Sequence, residues 1–368
     1  MKKVIVKRKK LRIVFVLLVL FVCFVFLQRY LIIKNKSKQF AITSENGIET
    51  LEFIEIGGIQ QALLIRGNDV SNPFILDLHG GPGYPNMATG SYKPEWEDYF
   101  TIVYFDQRLA GKTYYANNVN AVKQSDSMDI RIQDVIDVAE YISERFNKEK
   151  IVLHGSSWGT VLGINAILQR PDLFCAYIGN SQVVNQYEAD MLVYDETLRL
   201  SQESGNQRQI DSLLDMQGRF PSNTYDEHYY DNLSAMRTIA RNYVGEMSLT
   251  SNGLMTNIWP QFYSPYYTLK EATYFLRYTN LISEVAPKYM IENYDMRSLG
   301  LVYDVPVFFI SGRLDYSTPV ALLEDLFQEM KAPQKEIYII EDHGHGIGYR
   351  QYTELMLRTI YPIAVENS

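Results

Sequence analysis

Near its middle the chain reads Ile151-Val152-Leu153-His154-Gly155-Ser156-Ser157-Trp158-Gly159. A short apolar strand therefore ends in Gly-x-Ser-x-Gly, and a helix-compatible stretch follows from Thr160 to Arg170. This order predicts a nucleophile elbow, a strained strand-to-helix turn that exposes one serine hydroxyl at the edge of a sheet. Glycine stands two positions before and two positions after Ser157, where a side chain would collide with the turn. Ser156 lacks this flanking pair, so Ser157 is the predicted nucleophile.

Apolar strand-like runs and amphipathic helical stretches alternate on both sides of this turn. The alternation indicates a mostly parallel α/β sheet, because parallel strands need long, usually helical connections. From about 183 to 300 the strand-like runs give way to helical, tyrosine-rich segments, which predicts a helical cap inserted between two core strands. The predicted organisation is a basic N-terminus with an apolar helix (1–37), a first part of the core (38–182), the cap (183–300) and a second part of the core (301–368).

Periodicity and turn residues predict the individual elements. Gly57-Gly58 separates two strand-like runs, which is typical of a hairpin. Ser127 precedes apolar residues at helical spacing and is a typical helix N-cap. Besides the strand before Ser157, the predictions are a polar tether at 35–46, strands at 51–56, 60–66, 74–78, 101–105, 175–178, 305–310 and 336–340, and helices at 319–330 and 349–360.

Two residues downstream of Ser157 complete a predicted catalytic triad. A serine hydroxyl becomes nucleophilic when an imidazole takes its proton, and an acid must fix the tautomer of that imidazole. Asp315 and His345 each follow a predicted strand directly, so the sheet should bring both to the edge where Ser157 lies. His343 is the alternative base, and His345 is favoured because glycine flanks it on both sides.

A second requirement of such a site is a pair of backbone N–H groups that stabilise the developing oxyanion. One is predicted at Trp158, directly after the nucleophile. The other is predicted at Gly81, in the loop His79-Gly80-Gly81-Pro82-Gly83 that follows the strand 74–78. The glycines let the backbone approach a substrate closely, and Pro82 stiffens the turn.

The N-terminus carries a membrane-targeting pattern. Seven Lys/Arg residues occur up to Arg12, and an uncharged run from Ile13 to Leu27 follows, interrupted by Arg29. The run is shorter than the ~20 residues usual for a spanning helix, but Arg29 can snorkel to the surface. No small-residue cleavage site follows, so we expect an uncleaved single-pass anchor with the N-terminus cytoplasmic and the body extracytoplasmic. Cleavage and secretion is the alternative.

Charge and composition exclude several functions. Residues 1–38 contain eleven Lys/Arg and no acid, so 24 basic and 43 acidic residues remain and the body carries −19. Nucleic-acid binding needs a basic surface, and we expect none here. Clustered His/Cys spacing and a GxGxxG motif are both lacking, so no metal or cofactor is expected. Cys23 and Cys175 cannot plausibly pair.

Five motifs in this order resemble those of the proline iminopeptidase group of capped α/β-hydrolases, over residues 50 to 362. The resemblance implies the α/β-hydrolase fold, a Ser157–Asp315–His345 triad and a helical cap whose acidic side chains bind the free amine of a substrate. Glu188 and Asp190 are the cap candidates for that role. Leu109 departs from the family, which commonly has glycine directly after Asp-Gln-Arg, and Thr160 stands where a second glycine is usual. The motifs are HGGPG (79–83), DQR (106–108), GxSWG (155–159), GRxD (312–315) and GH (344–345).

The sequence therefore predicts a membrane-anchored serine hydrolase, of aminopeptidase type, that releases N-terminal residues from short peptides through an acyl-enzyme. An esterase or amidase acting on a small acyl compound with the same triad is the alternative. A non-catalytic binding module and an acyltransferase are further readings. Halide- or epoxide-opening chemistry is disfavoured, because it needs an aspartate in place of Ser157.

Overall fold

One eight-stranded sheet forms the centre of the protein. The computed structural model describes residues 2–88, 94–244, 259–274 and 283–367. The strands are β1 Ile48–Ile56, β2 Ile59–Gly67, β3 Phe74–Leu78, β4 Thr101–Asp106, β5 Ile151–Ser156, β6 Phe174–Asn180, β7 Val307–Gly312 and β8 Lys335–Ile340.

The sheet is mostly parallel, as the alternation of strands and helices predicts. Its strand order is β1-β2-β4-β3-β5-β6-β7-β8. β2 runs antiparallel to its neighbours β1 and β4, and the five remaining neighbouring pairs are parallel. The predicted hairpin is confirmed: Ile56 pairs with Ile59, and the two turn glycines have φ of 57° and 73°. Positive φ at both positions is the geometry of a two-residue type I′ turn.

Helices pack on both faces of the sheet. Alternate residues of β3 enter different apolar layers, because successive strand side chains point to opposite faces. Leu76 belongs to the apolar layer that contains Val135 and Val161, whereas Ile75 belongs to the layer that contains Ile360. The helices are α1 Lys2–Gln39, α2 Pro94–Glu97, α3 Gly111–Ala116, α4 Val119–Ser125, α5 Met128–Phe146, α6 Trp158–Gln169, α7 Gln186–Glu203, α8 Gln207–Met216, α9 Tyr229–Val244, α10 Leu269–Ala272, α11 Val285–Glu292, α12 Val320–Glu329, α13 Thr353–Leu355 and α14 Tyr361–Asn367.

The chain between β6 and β7 contains α7 to α11, and its described part is helical. A separate apolar cluster holds α7, α8 and α9 together and includes Val193, Leu213 and Met236. Tyr316, from the loop after β7, packs against this cluster. The predicted cap at 183–300 covers this part of the chain and stays a prediction, and Tyr316 connects the helices to the loop after β7.

The C-terminal segment is not the single helix that the sequence predicts at 349–360. It consists of a 3-10 turn at Tyr349–Tyr352, α13, a π-helical turn at Met356–Ile360, and α14. Tyr352, Met356 and Ile360 are buried at a spacing of four residues, and Ala364 continues the series. This spacing exceeds the 3.6 residues of an α-helical turn, so the wider π turn keeps these side chains on one face.

The N-terminal helix α1 ends later than expected. The predicted tether begins at residue 35, but α1 continues to Gln39, with Lys36 and Lys38 in its last turn, where cations favour the helix dipole. Within the described residues, Arg12–Gln39 is the one helix long and apolar enough to cross a membrane. The apolar side chains from Ile13 to Leu27 are largely exposed.

One face of α1 packs on the body. Val25, Arg29, Ile32 and Lys36, spaced by three or four residues, are half-buried. Arg29 donates from Nε to the Phe262 carbonyl and from a terminal nitrogen to the Tyr267 carbonyl, both at 2.9 Å.

The buried Arg66 of β2 holds the residue that directly follows α1. It donates to the Phe40 carbonyl at 2.5 Å and forms an ion pair with Glu97 at 2.7 Å. The Tyr266 hydroxyl also bonds this guanidinium. Arg66 therefore holds both the end of α1 and the segment around Tyr266 on the core.

Candidate active site

The turn between β5 and α6 holds Ser157 in a conformation that few residues adopt. Its φ is 51° and its ψ is −118°, and its backbone N–H donates to the Asn180 carbonyl at 2.9 Å. A Cβ at Gly159 would lie 2.3 Å from the Leu78 carbonyl oxygen, and one at Gly155 would lie 2.7 Å from the Gly159 carbonyl oxygen. The flanking glycines thus let α6 pack directly on the sheet, as the elbow pattern predicts.

The loops after β5, β7 and β8 bring Ser157, Asp315 and His345 together. His345 Nε2 lies 3.2 Å from Ser157 Oγ, and His345 Nδ1 lies 2.9 Å from Asp315 Oδ2. Because a carboxylate only accepts hydrogen bonds, Nδ1 carries the proton and Nε2 is left to accept the serine proton. The arrangement can therefore transfer a proton from Ser157 to His345.

Asp315 is held as an anion. Its Oδ1 accepts hydrogen bonds from the backbone N–H groups of Ser317 and Thr318, each at 2.8 Å, and the Thr318 hydroxyl donates to Oδ2 at 2.8 Å. Burial acts to raise the pKa of Asp315, but the electrostatic interaction and hydrogen bond with His345, together with the hydrogen bonds from Thr318, outweigh it, so the pKa lies below its usual value. Thr318 has no signal in the sequence motifs, and sequence reasoning missed it.

His343 faces away from this cluster. Its Nδ1 lies 2.9 Å from Asp342 Oδ1 at the surface. Its carbonyl accepts a hydrogen bond from the Leu314 N–H at 2.9 Å, and a Cβ at Gly312 would lie 2.2 Å from that same oxygen. The backbone of His343 thus locks the Asp315 loop against the His345 loop, while the side chain of His345 alone reaches Ser157.

Gln107 connects the elbow to the loop after β3. Its side chain accepts from Trp158 Nε1 at 3.0 Å and donates to the His79 carbonyl at 2.9 Å, and its backbone N–H donates to His79 Nε2 at 3.2 Å. Burial lowers the pKa of His79 to about 4, so the imidazole is neutral and its Nε2 accepts. The DQR motif was recognised in the sequence, but this bridging role was not.

The two predicted oxyanion donors belong to the turn after β5 and to the loop after β3. Trp158 is the first residue of α6, so its N–H has no acceptor within the helix. Gly81 has φ of 121° and precedes a cis peptide bond to Pro82. A Cβ at the neighbouring Gly80 would lie 3.2 Å from Ser157 Cβ, which shows how closely this loop approaches the serine.

Comparison with known proteins identifies the family. The sequence profile described as alpha/beta hydrolase fold matches residues 73–349. The chain belongs to the alpha/beta hydrolase family. It is 29% identical over 305 residues to a protein of Bacillus subtilis (strain 168) named "Probable aminopeptidase YbaC", with 83% of this chain and 93% of that protein covered. The resemblance to the proline iminopeptidase group is confirmed.

Two solved structures are similar to this hydrolase in fold. One is a proline iminopeptidase-related protein from Thermus thermophilus, with a TM-score of 0.54, 16% identity, and coverage of 87% of this chain and 100% of that one. The other is a laboratory evolved variant of potato epoxide hydrolase, with a TM-score of 0.53, 17% identity, and coverage of 87% and 99%. The two proteins are named for different activities, so the likeness establishes the fold and not the reaction.

A buried carboxyl group lies at the end of β4. Asp106 Oδ2 accepts from the Lys112 N–H at 2.7 Å and from the Tyr267 hydroxyl at 2.8 Å. Its Oδ1 has no hydrogen-bond partner within the described ranges. Burial outweighs the two hydrogen bonds and raises the pKa of Asp106 to about 7.

The departure at Leu109 has a backbone consequence. Its φ is 63°, in the left-handed region that glycine adopts without strain. The side chain is buried against Ile59 and Val122, and the carbonyl accepts a hydrogen bond from the Tyr274 hydroxyl at 2.9 Å. Packing of the leucine side chain therefore offsets the backbone strain of a conformation that glycine would adopt without strain.

The predicted amine-binding acids have partners within the cap. Glu188 forms an ion pair with Arg297 at 2.8 Å. Asp190 is buried, accepts from Gln186 Nε2 at 3.0 Å and is bonded by the Tyr229 hydroxyl. Both carboxylates already have partners in this arrangement, and their role in binding a substrate amine stays a prediction.

Proposed function

We propose that this alpha/beta hydrolase is a membrane-anchored serine aminopeptidase that releases N-terminal residues from short peptides. The observation that carries the proposal is the hydrogen-bonded series Ser157–His345–Asp315 at one sheet edge. The relative named "Probable aminopeptidase YbaC" supports the peptidase class, since the alignment covers most of both chains.

In the proposed mechanism Ser157 Oγ attacks the carbonyl carbon of the scissile bond while His345 Nε2 accepts the hydroxyl proton. The resulting imidazolium is stabilised by the Asp315 carboxylate, which also fixes the tautomer. His345 then donates the proton to the leaving amine, and the bond between the carbonyl carbon and nitrogen breaks. A water molecule, deprotonated by His345, hydrolyses the acyl-enzyme and restores Ser157.

We assign the oxyanion hole to the N–H groups of Trp158 and Gly81. Preorganised donors of this kind lower the barrier where negative charge develops, and losing one typically costs ~10²–10³ in turnover. The hydrogen bonds of Gln107 to Trp158 and His79 support the assignment, because they fix the two donor-bearing loops relative to one another.

An esterase or amidase acting on a small acyl compound is the second candidate. It is favoured by the partners of Glu188 and Asp190, since an aminopeptidase needs a carboxylate available to bind the substrate amine. The triad and the oxyanion hole serve both reactions equally, so the substrate must decide between them.

We propose that α1 anchors the protein in a membrane as an uncleaved signal anchor. The basic residues before Ile13 favour a cytoplasmic N-terminus and place the catalytic body on the other side. The exposed apolar surface of Ile13–Leu27 supports the proposal, since such a surface is costly in water.

The test is hydrolysis by the full-length protein of proline-, alanine- and leucine-arylamides beside short-chain nitrophenyl esters. Ser157→Ala should lower turnover by at least about 10³-fold, because the nucleophile is lost. The matched control is Ser156→Ala, which removes the neighbouring hydroxyl and should leave turnover within a few-fold of wild type. Turnover of esters alone would establish the second candidate. Turnover that survives Ser157→Ala would refute the assigned nucleophile.

A further inference from the structure

The segment Trp259–Tyr267 combines aromatic residues and a lack of charge in an otherwise acidic body. Five of its nine residues are aromatic and none is charged, whereas residues 39–368 together carry −19. Trp259 is 50% exposed and stacks on Tyr263, with the ring centroids 5.4 Å apart. Phe262 packs edge-on against Tyr263 at 4.9 Å. Amphipathic aromatic rings in contact with solvent are characteristic of the interface between a bilayer and water.

This segment is bound to α1 at the position of Arg29. Arg29 donates to the carbonyls of Phe262 and Tyr267 at 2.9 Å, and its guanidinium lies 5.6 Å from the centre of the Phe262 ring. The half-buried face of α1 begins at Val25, within the uncharged run. The body therefore contacts α1 before the apolar part of the helix has ended.

The length of the uncharged run then fixes the depth of the segment. Ile13–Leu27 spans about 22 Å as a helix, while the hydrocarbon core of a bilayer is about 30 Å thick. Because the run is shorter than the hydrocarbon core, either the bilayer thins around α1 or the hydrocarbon core extends past one end of the run. Extension past the N-terminal end would bury the basic residues up to Arg12 in hydrocarbon, which is costly. At the other end Arg29 lies about 3 Å beyond Leu27, and the carbonyls of Phe262 and Tyr267 accept hydrogen bonds from its guanidinium. Arg29 therefore lies just outside a hydrocarbon core that thins to the length of the run, and about 5 Å inside one that extends past Leu27. In both cases the segment bound to Arg29 is within about 5 Å of the boundary between hydrocarbon and headgroups.

We propose that Trp259–Tyr267 is a membrane-contact surface, with the exposed Trp259 and the half-buried Phe262 and Tyr263 in the headgroup layer of the bilayer that α1 spans. The proposal rests on the anchoring role of α1 proposed above, and it is independent of the reaction. It assigns the surface to lipid because the segment is continuous with the membrane helix through Arg29. It also makes one side of the cap a membrane-bound element, joined through the Tyr267 hydroxyl to Asp106 at the end of β4.

The tryptophans of the chain provide the test. Trp96 and Trp158 are buried, and Trp259 is the exposed member of the three. Full-length protein is reconstituted into phosphatidylcholine vesicles with and without brominated phosphatidylcholine, which quenches nearby tryptophan fluorescence. We expect quenching in wild type, loss of that quenched fraction in Trp259→Phe, and a marked decrease in Arg29→Ala, which releases the segment from α1. Lys34→Ala, an exposed change on the same helix, should quench like wild type.

Retention of the protein in carbonate-washed vesicles separates the possible failures. If the protein is retained and wild type and Trp259→Phe are quenched equally, the membrane-contact surface is refuted while the anchor stands. If Trp259 is shielded from acrylamide but not quenched by brominated lipid, a second copy or another protein covers the surface and the proposal is overturned. If the protein is not retained, both the anchor and the contact surface are refuted, and the arylamide assay still decides the reaction.

Discussion

The buried carboxyl group of Asp106 should make the stability of this hydrolase fall as the pH rises toward neutrality. An aspartate in an unfolded chain titrates near 3.8, whereas burial raises the pKa of Asp106 to about 7 in the folded protein. Between these values the folded state binds a proton that the unfolded state has lost, so the free energy of unfolding decreases with rising pH. Asp106→Asn keeps an acceptor for the Lys112 N–H but has no charge to bury.

The size of the effect follows from the two pKa values. A difference of roughly 3 pKa units corresponds to about 4 kcal/mol between the limits of low and high pH. Between pH 5 and pH 8 the wild-type protein should lose about 3 kcal/mol through this group, because most of the shift lies in that range. Asp106→Asn should not show this loss, so the variant should become more stable than wild type by a margin that grows with pH.

Urea unfolding of the full-length protein in detergent, measured at several pH values, tests this reasoning. The quantity compared is the difference in free energy of unfolding between variant and wild type, which removes the contribution of other titrating groups. Tyr267→Phe removes the hydroxyl that donates to Asp106 Oδ2 and should raise the pKa further, moving the loss of stability to higher pH. Identical pH profiles for wild type and Asp106→Asn would refute the argument.

Three further predictions concern the backbone and the triad. Leu109→Gly and Leu109→Ala should both destabilise by loss of buried side chain, but the glycine variant should be the more stable by about 0.5–1 kcal/mol in urea unfolding, because only glycine accepts a φ of 63° without strain. Asp315→Asn should lower turnover by roughly 10⁴-fold, because His345 loses the partner that fixes its tautomer. An unchanged Michaelis constant in the same variant would show that substrate binding is intact. Gly159→Ala should abolish turnover and impair folding, since its Cβ would lie 2.3 Å from the Leu78 carbonyl oxygen; wild-type activity in this variant would contradict the packing of α6 on the sheet.

The elements that sequence predicted correctly are those specified by local rules. The alternation of strands and helices gives the parallel sheet, Gly57-Gly58 gives the hairpin, and Ser127 does cap α5, accepting from the Ile130 N–H at 3.2 Å. The two errors come from context. The chain after residue 35 lacks a helix breaker, so α1 continues to Gln39, and burial of residues at four-residue spacing produces the π turn near Met356.

The residues of the candidate active site also fall into those that the sequence predicted and those that it did not. Ser157, Asp315 and His345 were predicted because each follows a strand at the same sheet edge, and the structure brings their side chains within hydrogen-bond distance. Gln107 was not given its role, since its hydrogen bonds join loops that are distant in sequence. Thr318 lies only three residues after Asp315, and its role depends on how the turn after β7 folds back on that carboxylate. No periodicity or motif encodes such contacts.

The continuous passage from α1 into the body also determines where the enzyme can work. A domain on a flexible linker samples a volume whose radius grows with the square root of the linker length. Here the helix ends at Gln39 and the next carbonyl, that of Phe40, is already bound by Arg66, so no slack remains. If α1 spans the membrane as proposed, Ser157 stays at one height above the lipid, and a substrate must reach it at that height. Inserting a flexible spacer after Gln39 would free that height while leaving the chemistry of Ser157 untouched.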